Sequence, residues 1–547
     1  PLSAHTASRT PRQELAQHDR TELETEEGRK AFNDKCSASI AETIANGGTR
    51  IEAIHIACAK AAATLPRKTK DHTANWFCMH DKSMMTAIGE RNTAKRNHEQ
   101  APTAANKAKL REARRSVKDL TIRCKGAWVQ YQAIGIQRIN RGTSHAWECC
   151  KRICAGVDGQ LVPRANVTMR KPNGEVCDGS DEANAQCKGA YLKELFTKQS
   201  TATEASVDMI PQLPTNYDLG ICPPDGEIHW AVQKLKRTGA GISGICAQDL
   251  QCMMSEQRTA QHIIDMVRAV WCTDDPIDES WYVGLTSCLP KKGDLSHACN
   301  WRCIVLLEVT SKIVCNICRG RLNMHWLLHL PPTLTKNQNG FTADRGTDDG
   351  IFTSRMLLQK ARQHGMEIWC LALDFIKAFD SVDRKLLWAY LEKLGVAKQL
   401  IHVCKKLYAR FTMDVEGIFS FLSTIGVRQG DSLGPEFFRF VILCATSTYN
   451  TIVRTTATIT LTTYGDLIIH TRGRQHNATG TEFSIPDNVY ADDSNIYFCS
   501  REDFEKEGPR CVEHFASFGL NMHLGTHGTG KKSKTECLFC PAPPAAY

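Results

Sequence analysis

Three aspartates carry the chemistry legible in this sequence. Asp492 and Asp493 are adjacent in Val489-Tyr490-Ala491-Asp492-Asp493-Ser494-Asn495-Ile496-Tyr497-Phe498, and Asp374 ends the run Ile368-Trp369-Cys370-Leu371-Ala372-Leu373. Short apolar stretches flanking a small-acidic-acidic tip predict a tight β-hairpin with both carboxylates at its turn. Side chains alternate along a strand, so neighbouring aspartates can serve one site only if they sit at the turn. Two carboxylates at one tip repel and call for a cation, most simply Mg²⁺, which prefers hard oxygen ligands and keeps positions open for phosphate. Alone, the tip fits an Asp-rich surface turn equally well; Asp374 decides for chemistry. Together the three supply the anionic cage of a two-metal phosphoryl-transfer site.

The elements that must position these carboxylates follow from the local pattern. Ile368 to Leu373 is too short for a helix and is bounded by a charge, which predicts a buried strand with Asp374 at its C-terminal end. Ser381 is the expected N-cap of an amphipathic helix running through Leu394, with Gly395 as its stop. Trp281 to Leu289 predicts a strand ending in the basic turn Pro290-Lys291-Lys292-Gly293. Pro435 suits the first turn of a helix from Glu436 to Tyr449.

In their order along the chain, Leu373-Asp374-Phe375-Ile376-Lys377-Ala378-Phe379-Asp380-Ser381-Val382, Gly426-Val427-Arg428-Gln429-Gly430-Asp431-Ser432-Leu433-Gly434-Pro435 and Tyr490-Ala491-Asp492-Asp493 resemble motifs A, B and C of the reverse transcriptases of non-LTR (LINE-type) retrotransposons. The resemblance runs from about residue 70 to 540 and is strongest after 280. It implies an α+β fold: right-hand polymerase fingers and palm with an antiparallel palm sheet, preceded by a mainly helical N-terminal extension. The implied activity is RNA-templated DNA synthesis by two-metal nucleotidyl transfer, with Asp374, Asp492 and Asp493 catalytic and holding two Mg²⁺ ions, Mn²⁺ being able to substitute. The implied partners are an RNA template, a DNA primer or target, and deoxynucleoside triphosphates.

Further residues carry over motif by motif. Arg302, Lys312 and Arg345 are expected to neutralise the incoming triphosphate. Lys534, in Lys534-Thr535-Glu536, resembles the motif D lysine that acts near the leaving pyrophosphate. Gln429 can donate to and accept from the nucleotide or template, and Gly430 lets the backbone approach a base pair closely. Phe379, five residues after Asp374, is the expected aromatic that excludes a 2′-hydroxyl; a plain core phenylalanine on the strand-to-helix turn is the competing reading. The sequence departs from the family's usual residues at Cys303, Thr342, Ser432 and Gly434 and in the loop Gly239-Ala240-Gly241-Ile242-Ser243-Gly244.

At 547 residues the chain is too long for one ordinary core. Three regions are expected: residues 1–150 as a helical basic linker region, 151–280 as an N-terminal extension of the polymerase, and 281–547 as fingers and palm. With 68 basic and 59 acidic residues, a formal +9, the composition favours a polyanionic partner. The excess concentrates between Arg91 and Lys125, with eleven Lys/Arg against three Asp/Glu. Lys107, Arg111, Arg114, Arg115 and Lys118 fall on a stretch without Pro or Gly, a helix suited either to tracking phosphates or to plain solvation. The 25 cysteines are scattered rather than framed, which with no signal peptide predicts reduced thiols in nucleus and cytoplasm. His523, His527, Cys537 and Cys540 have zinc-like spacing, but the motif D stretch already accounts for them. No apolar run approaches the ~20 residues of a membrane span.

Because the chain begins at Pro1 and stops at Tyr547, it is expected to be a fragment without the relatives' endonuclease and thumb, weakly active or inactive in isolation. A group II intron-type reverse transcriptase and a decayed element that only binds nucleic acid are the competing readings.

Overall fold

The computed structural model describes residues 18–66, 81–137, 167–171, 174–237, 239–291, 293–464, 467–469, 481–525 and 532–543. The chain divides into two compact units, residues 1–67 with 168–547, and residues 68–167.

The larger unit starts with α1 (Glu26–Ala45) and α2 (Arg50–Ala62), parted by Asn46-Gly47-Gly48, where Gly47 takes a positive φ. Thr49 opens α2 with a reciprocal capping box to Glu52, which satisfies two amide groups the helix itself leaves bare. The expected grouping of residues 1–150 does not describe this division. Cys36, Ile40, Ile54 and Ala57 are fully buried in the same core as Leu250 and Met253, and Arg20 makes a buried two-bond pair with Asp249. Such burial unites segments more than 200 residues apart, which local sequence does not announce.

The smaller unit is a helical hairpin of α3 (Asp81–Gln100) and α4 (Ala104–Gln137). Met84 from α3 packs with Cys124 and Trp128 from α4. Lys107, Arg111, Arg114, Arg115 and Lys118 are all exposed on α4.

The larger unit resumes with α5 (Asp181–Thr197), α6 (Asp225–Gln233), α7 (Ala247–Met253) and α8 (Gln257–Cys272), then β1 (Val283–Pro290) and β2 (Trp301–Leu306). It continues through α9 (Val309–Leu328), α10 (Thr347–Gln363), β3 (Ile368–Leu373), α11 (Arg384–Lys393), α12 (Lys398–Tyr408), β4 (Thr412–Val415) and β5 (Phe419–Leu422). After α13 (Leu433–Thr448) come β6 (Ile459–Tyr464), β7 (Leu467–Ile469), β8 (Thr481–Ile485), β9 (Asp487–Tyr490), β10 (Asp493–Phe498), α14 (Arg501–Ser517) and β11 (Glu536–Cys540).

The architecture is α+β, with three sheets ordered β2-β1-β4-β5, β11-β3-β10-β9 and β7-β6-β8. The second is antiparallel throughout and holds all three aspartates at one end. The first contains one parallel pair, β1 with β4. Helix α13 is buried around nearly its whole circumference; Phe437, Phe438, Phe440 and Ile442 are all at 0% exposure, and the charges it buries, Glu436 and Arg439, pair with each other. Two expected boundaries shift. Asp383, not Ser381, caps α11 through a bond from the Leu386 amide, and Ser381 instead binds back to Ile376 and Lys377 carbonyls. Helix α13 begins at Leu433, three residues before Glu436, because Asp431 accepts the Leu433 amide ahead of it.

Candidate active site

The hairpin register creates the carboxylate cluster. Asp493 pairs with Tyr490 across a two-residue turn, and Ser494 pairs with Leu373, so Asp374 follows directly beside Asp493. Asp374 is held through its own backbone: its carbonyl accepts the His523 amide at 2.7 Å, and its amide donates to Thr535 Oγ1 at 3.2 Å. Asp492 is half-buried, and Asp493 is exposed. Burial, then the charges of Asp493 and Asp374, push the Asp492 carboxyl above the usual range, with Arg302 opposing.

A hard divalent cation fits this arrangement, because it would relieve the mutual repulsion that raises Asp492. Among the described residues no group of three or more His, Cys, Asp or Glu side chains is disposed to hold a metal ion by itself. An open set of carboxylate oxygens is what Mg²⁺ takes when phosphate and water complete its shell.

Asp492 lines a cavity of about 180 Å³ together with Arg302, Phe379 and Gln429, all expected at the nucleotide. Phe379 stacks on Phe438 at 4.4 Å between centroids and meets Phe341 edge-on. Gln429 Nε2 donates to the Asp380 carboxylate at 2.5 Å, which orients its amide. Burial raises the Asp380 carboxyl, while Gln429, Lys377, Lys291 and Lys198 oppose that shift.

Four expected residues are not among those lining this cavity. Lys312 is largely buried in α9, where burial lowers its ammonium and Glu308 and Asp431 counter that. Arg345 Nη1 donates to the carbonyls of Thr335, Lys336 and Gln338, so this atom ties down a loop. Lys534 is exposed just before β11. Gly430 has φ +112°, and a Cβ there would meet the Val305 carbonyl of strand β2 at 2.4 Å. Gln429 makes the same junction, its carbonyl accepting the Val305 amide at 2.8 Å. Of the zinc-like set, His527 lies outside the described residues, and Cys537 and Cys540 lie within β11, paired with Leu371 and Ile368 of β3.

Lys291 and Lys377, not assigned to the nucleotide from sequence, also line the cavity. Burial lowers the Lys291 ammonium, and so do the neighbouring charges of Lys377 and Arg302. Lys377 has φ +53° and directs Nζ to 6.0 Å from the Tyr191 ring on α5. Asp380, which lines the same cavity, offsets part of this positive charge and helps to hold the Lys377 ammonium above its ordinary value. The signal was present in the basic turn and in motif A, but nothing local joins residues 86 positions apart.

The arrangement thus joins carboxylates at one end of a sheet to a cavity that Asp492 shares with three cations and Phe379. Residues 289–525 match the family described as reverse transcriptase (RNA-dependent DNA polymerase). Over 160 residues the chain is 33% identical to the transposon TX1 uncharacterized 149 kDa protein of Xenopus laevis, covering 28% of this chain and 12% of that protein. Over 221 residues it is 24% identical to the retrovirus-related Pol polyprotein from type-1 retrotransposable element R2 of Popillia japonica, covering 40% of this chain and 29% of that protein. A solved structure of telomerase from Candida albicans with a TWJ fragment of telomeric RNA matches half of this chain and 44% of its own at 10% identity, TM-score 0.33. Residues 289–525 thus resemble a reverse transcriptase domain, and both curated relatives come from transposable elements. It spans under a third of the curated relatives it matches. Among the described residues no helix is long and apolar enough to cross a membrane.

Proposed function

We propose that this chain copies an RNA template into DNA for retrotransposon propagation, extending a DNA primer with deoxynucleoside triphosphates. The observation that carries the reading is that Asp492 lines one cavity together with Arg302, Lys291, Lys377, Phe379 and Gln429. In this reading the β11-β3-β10-β9 sheet with α13 is the palm, and β1-β2 with their connecting turn belongs to the fingers.

Asp374 and Asp492, with Asp493 assisting, would hold two Mg²⁺ ions. When bound, these supply activation of the primer 3′-hydroxyl and neutralisation of charge developing on the triphosphate. The chain's own residues do the rest. Arg302, Lys291 and Lys377 receive the triphosphate charge that carboxylates alone would repel. Gln429, oriented by Asp380, presents a fixed amide to the nucleotide. Phe379, held by stacking on Phe438, presents a ring edge where a 2′-hydroxyl would have to fit. The exposed cations of α4 offer a phosphate-tracking surface.

The test is primer extension on an RNA template with Mg²⁺ and deoxynucleotides, using the whole chain and Asp492→Asn. Extension by the whole chain that disappears in the variant, with RNA binding intact in both, is the expected result. RNA binding without extension in either would replace this reading with that of a nucleic-acid-binding remnant.

A further inference from the structure

The catalytic turn is conformationally uncomfortable. Ala491, first of its two residues, has φ +57°, a region where hairpins of this length favour glycine because a Cβ is crowded there. Ala491 is also 4% exposed, so its amide needs an internal partner. That partner comes from a loop 153 residues upstream: Gln338 Oε1 accepts the Ala491 amide at 3.3 Å.

The same oxygen accepts the Gly340 amide at 2.9 Å, so two backbone donors fix which end of the Gln338 amide faces the turn. The loop is itself anchored like an extra strand. The Asn339 amide donates to the Val489 carbonyl at 2.8 Å, and the Val489 amide to the Asn337 carbonyl at 3.0 Å. Asn339 Nδ2 donates to Asn488, whose own Nδ2 donates to the Gly350 carbonyl and Ser354 Oγ on α10. Gly340 completes the contact, since a Cβ there would lie 2.3 Å from the Ala491 nitrogen.

We propose that Gln338, seated on the Asn337–Gly340 strap, is a positioning residue that holds Ala491 in its left-handed conformation and so fixes Asp492 for divalent-metal binding. The inference rests on the metal-binding reading of Asp492 given above. Gln338 touches neither substrate nor metal in this scheme; it acts through the turn.

Gln338 Nε2 has no hydrogen-bond partner among the described residues. Gln338→Glu therefore keeps the acceptor and loses no bond, whereas Gln338→Met keeps the bulk and loses the acceptor. Asn339→Ala removes a strap contact on the far side of β9 and serves as the control for general weakening.

The whole chain and these variants, with Asp492→Asn, are titrated with Mn²⁺ followed by electron paramagnetic resonance. Amide hydrogen exchange is read on peptides spanning Val489–Asp493. Expected are a roughly 10-fold loss of Mn²⁺ affinity in Gln338→Met, the lower end for a group that orients a metal ligand, and faster exchange across the turn. Gln338→Glu should stay within about threefold of the parent, and Asn339→Ala should lower the melting temperature without that loss. Parent-like affinity and exchange in Gln338→Met overturns the proposal, as does an equal affinity loss in Asn339→Ala. If Asp492→Asn binds Mn²⁺ as well as the parent, the metal reading has failed. Hydrogen exchange then decides the strap alone: unchanged protection in Gln338→Met rejects it.

Discussion

Replacing Lys291 with methionine should move stability and nucleotide binding in different directions, whereas Lys377→Met should cost some stability as well, because Tyr191 and Asp380 hold the Lys377 ammonium above its ordinary value against burial. Both lysines line the same cavity with Arg302, and Lys291 is depressed by burial and by its two cationic neighbours. A lysine whose folded pKa lies below its unfolded value binds fewer protons when folded, so its charge opposes folding at neutral pH. That opposition is relieved only as pH rises through the depressed pKa. Lys291→Met should therefore leave the melting temperature at pH 7 unchanged or higher, with the difference shrinking towards alkaline pH. With triphosphate bound, the sign reverses. A charge-assisted hydrogen bond contributes about 1.5–3 kcal/mol, and partial exposure at the cavity mouth favours the lower figure. Each substitution should then raise KM for the deoxynucleotide about 10-fold, with little change in affinity for primer and template. Steady-state extension with nucleotide titration, beside thermal unfolding of the free chain, reads both quantities. An unchanged KM in both variants would refute the assignment. A raised KM with a large fall in melting temperature would show the lysines to be props of the fold instead.

Phe379→Val should admit ribonucleotides in primer extension while deoxynucleotide use persists; unchanged discrimination would return Phe379 to the core role its stacking on Phe438 also allows. Asp431→Ala should cost about 3–5 kcal/mol in urea unfolding, because it strands the fully buried Arg428 guanidinium, which donates to Asp431 from Nε and Nη2 and stacks 4.1 Å from the Tyr408 ring. Asp487 has its carboxyl pushed up to about 6 by burial, against hydrogen bonds from Asn337 and Asn450. The folded chain thus holds a proton between the ordinary carboxylate range and pH 6 that the unfolded chain has lost. Its stabilising effect fades as pH rises through 6, so Asp487→Asn should stabilise at pH 8 relative to the parent and not at pH 4, measured by thermal unfolding.

What the sequence made legible was whatever lay within one contiguous stretch. Strand β3 ending at Asp374, the hairpin at Asp492 and Asp493, and the break between α1 and α2 each follow from alternation, turn chemistry and composition over a dozen residues or fewer. Arg302, Phe379 and Gln429 came with motifs, and the structure brings all three to one cavity with Asp492. Lys312 and Arg345 carry charges as plausible as that of Arg302, but a local pattern cannot distinguish a lysine inside a helix or a guanidinium bonded to loop carbonyls from one that faces a ligand.

The residues missed share one property: each is defined by a partner far along the chain. Lys291 acquires meaning only beside Lys377, Asp380 only beside Gln429, and Gln338 only beside Ala491. Gly430 shows the same limit from the other side. A close backbone approach was readable from motif B, but what forbids a side chain is the Val305 carbonyl, placed there by strand β2. Gly340 is the case in which sequence could have gone further. A glycine in Asn337-Gln338-Asn339-Gly340 and an alanine where a two-residue hairpin prefers glycine are each unremarkable, yet both are explained by one contact. Gly340 gives up its side chain so that Ala491 can keep one, and the turn bearing Asp492 is thereby held from outside the hairpin. A Gly340→Ala substitution should accordingly disturb the catalytic turn more than Ala491→Gly, which relaxes the strained residue while leaving its amide bonded to Gln338.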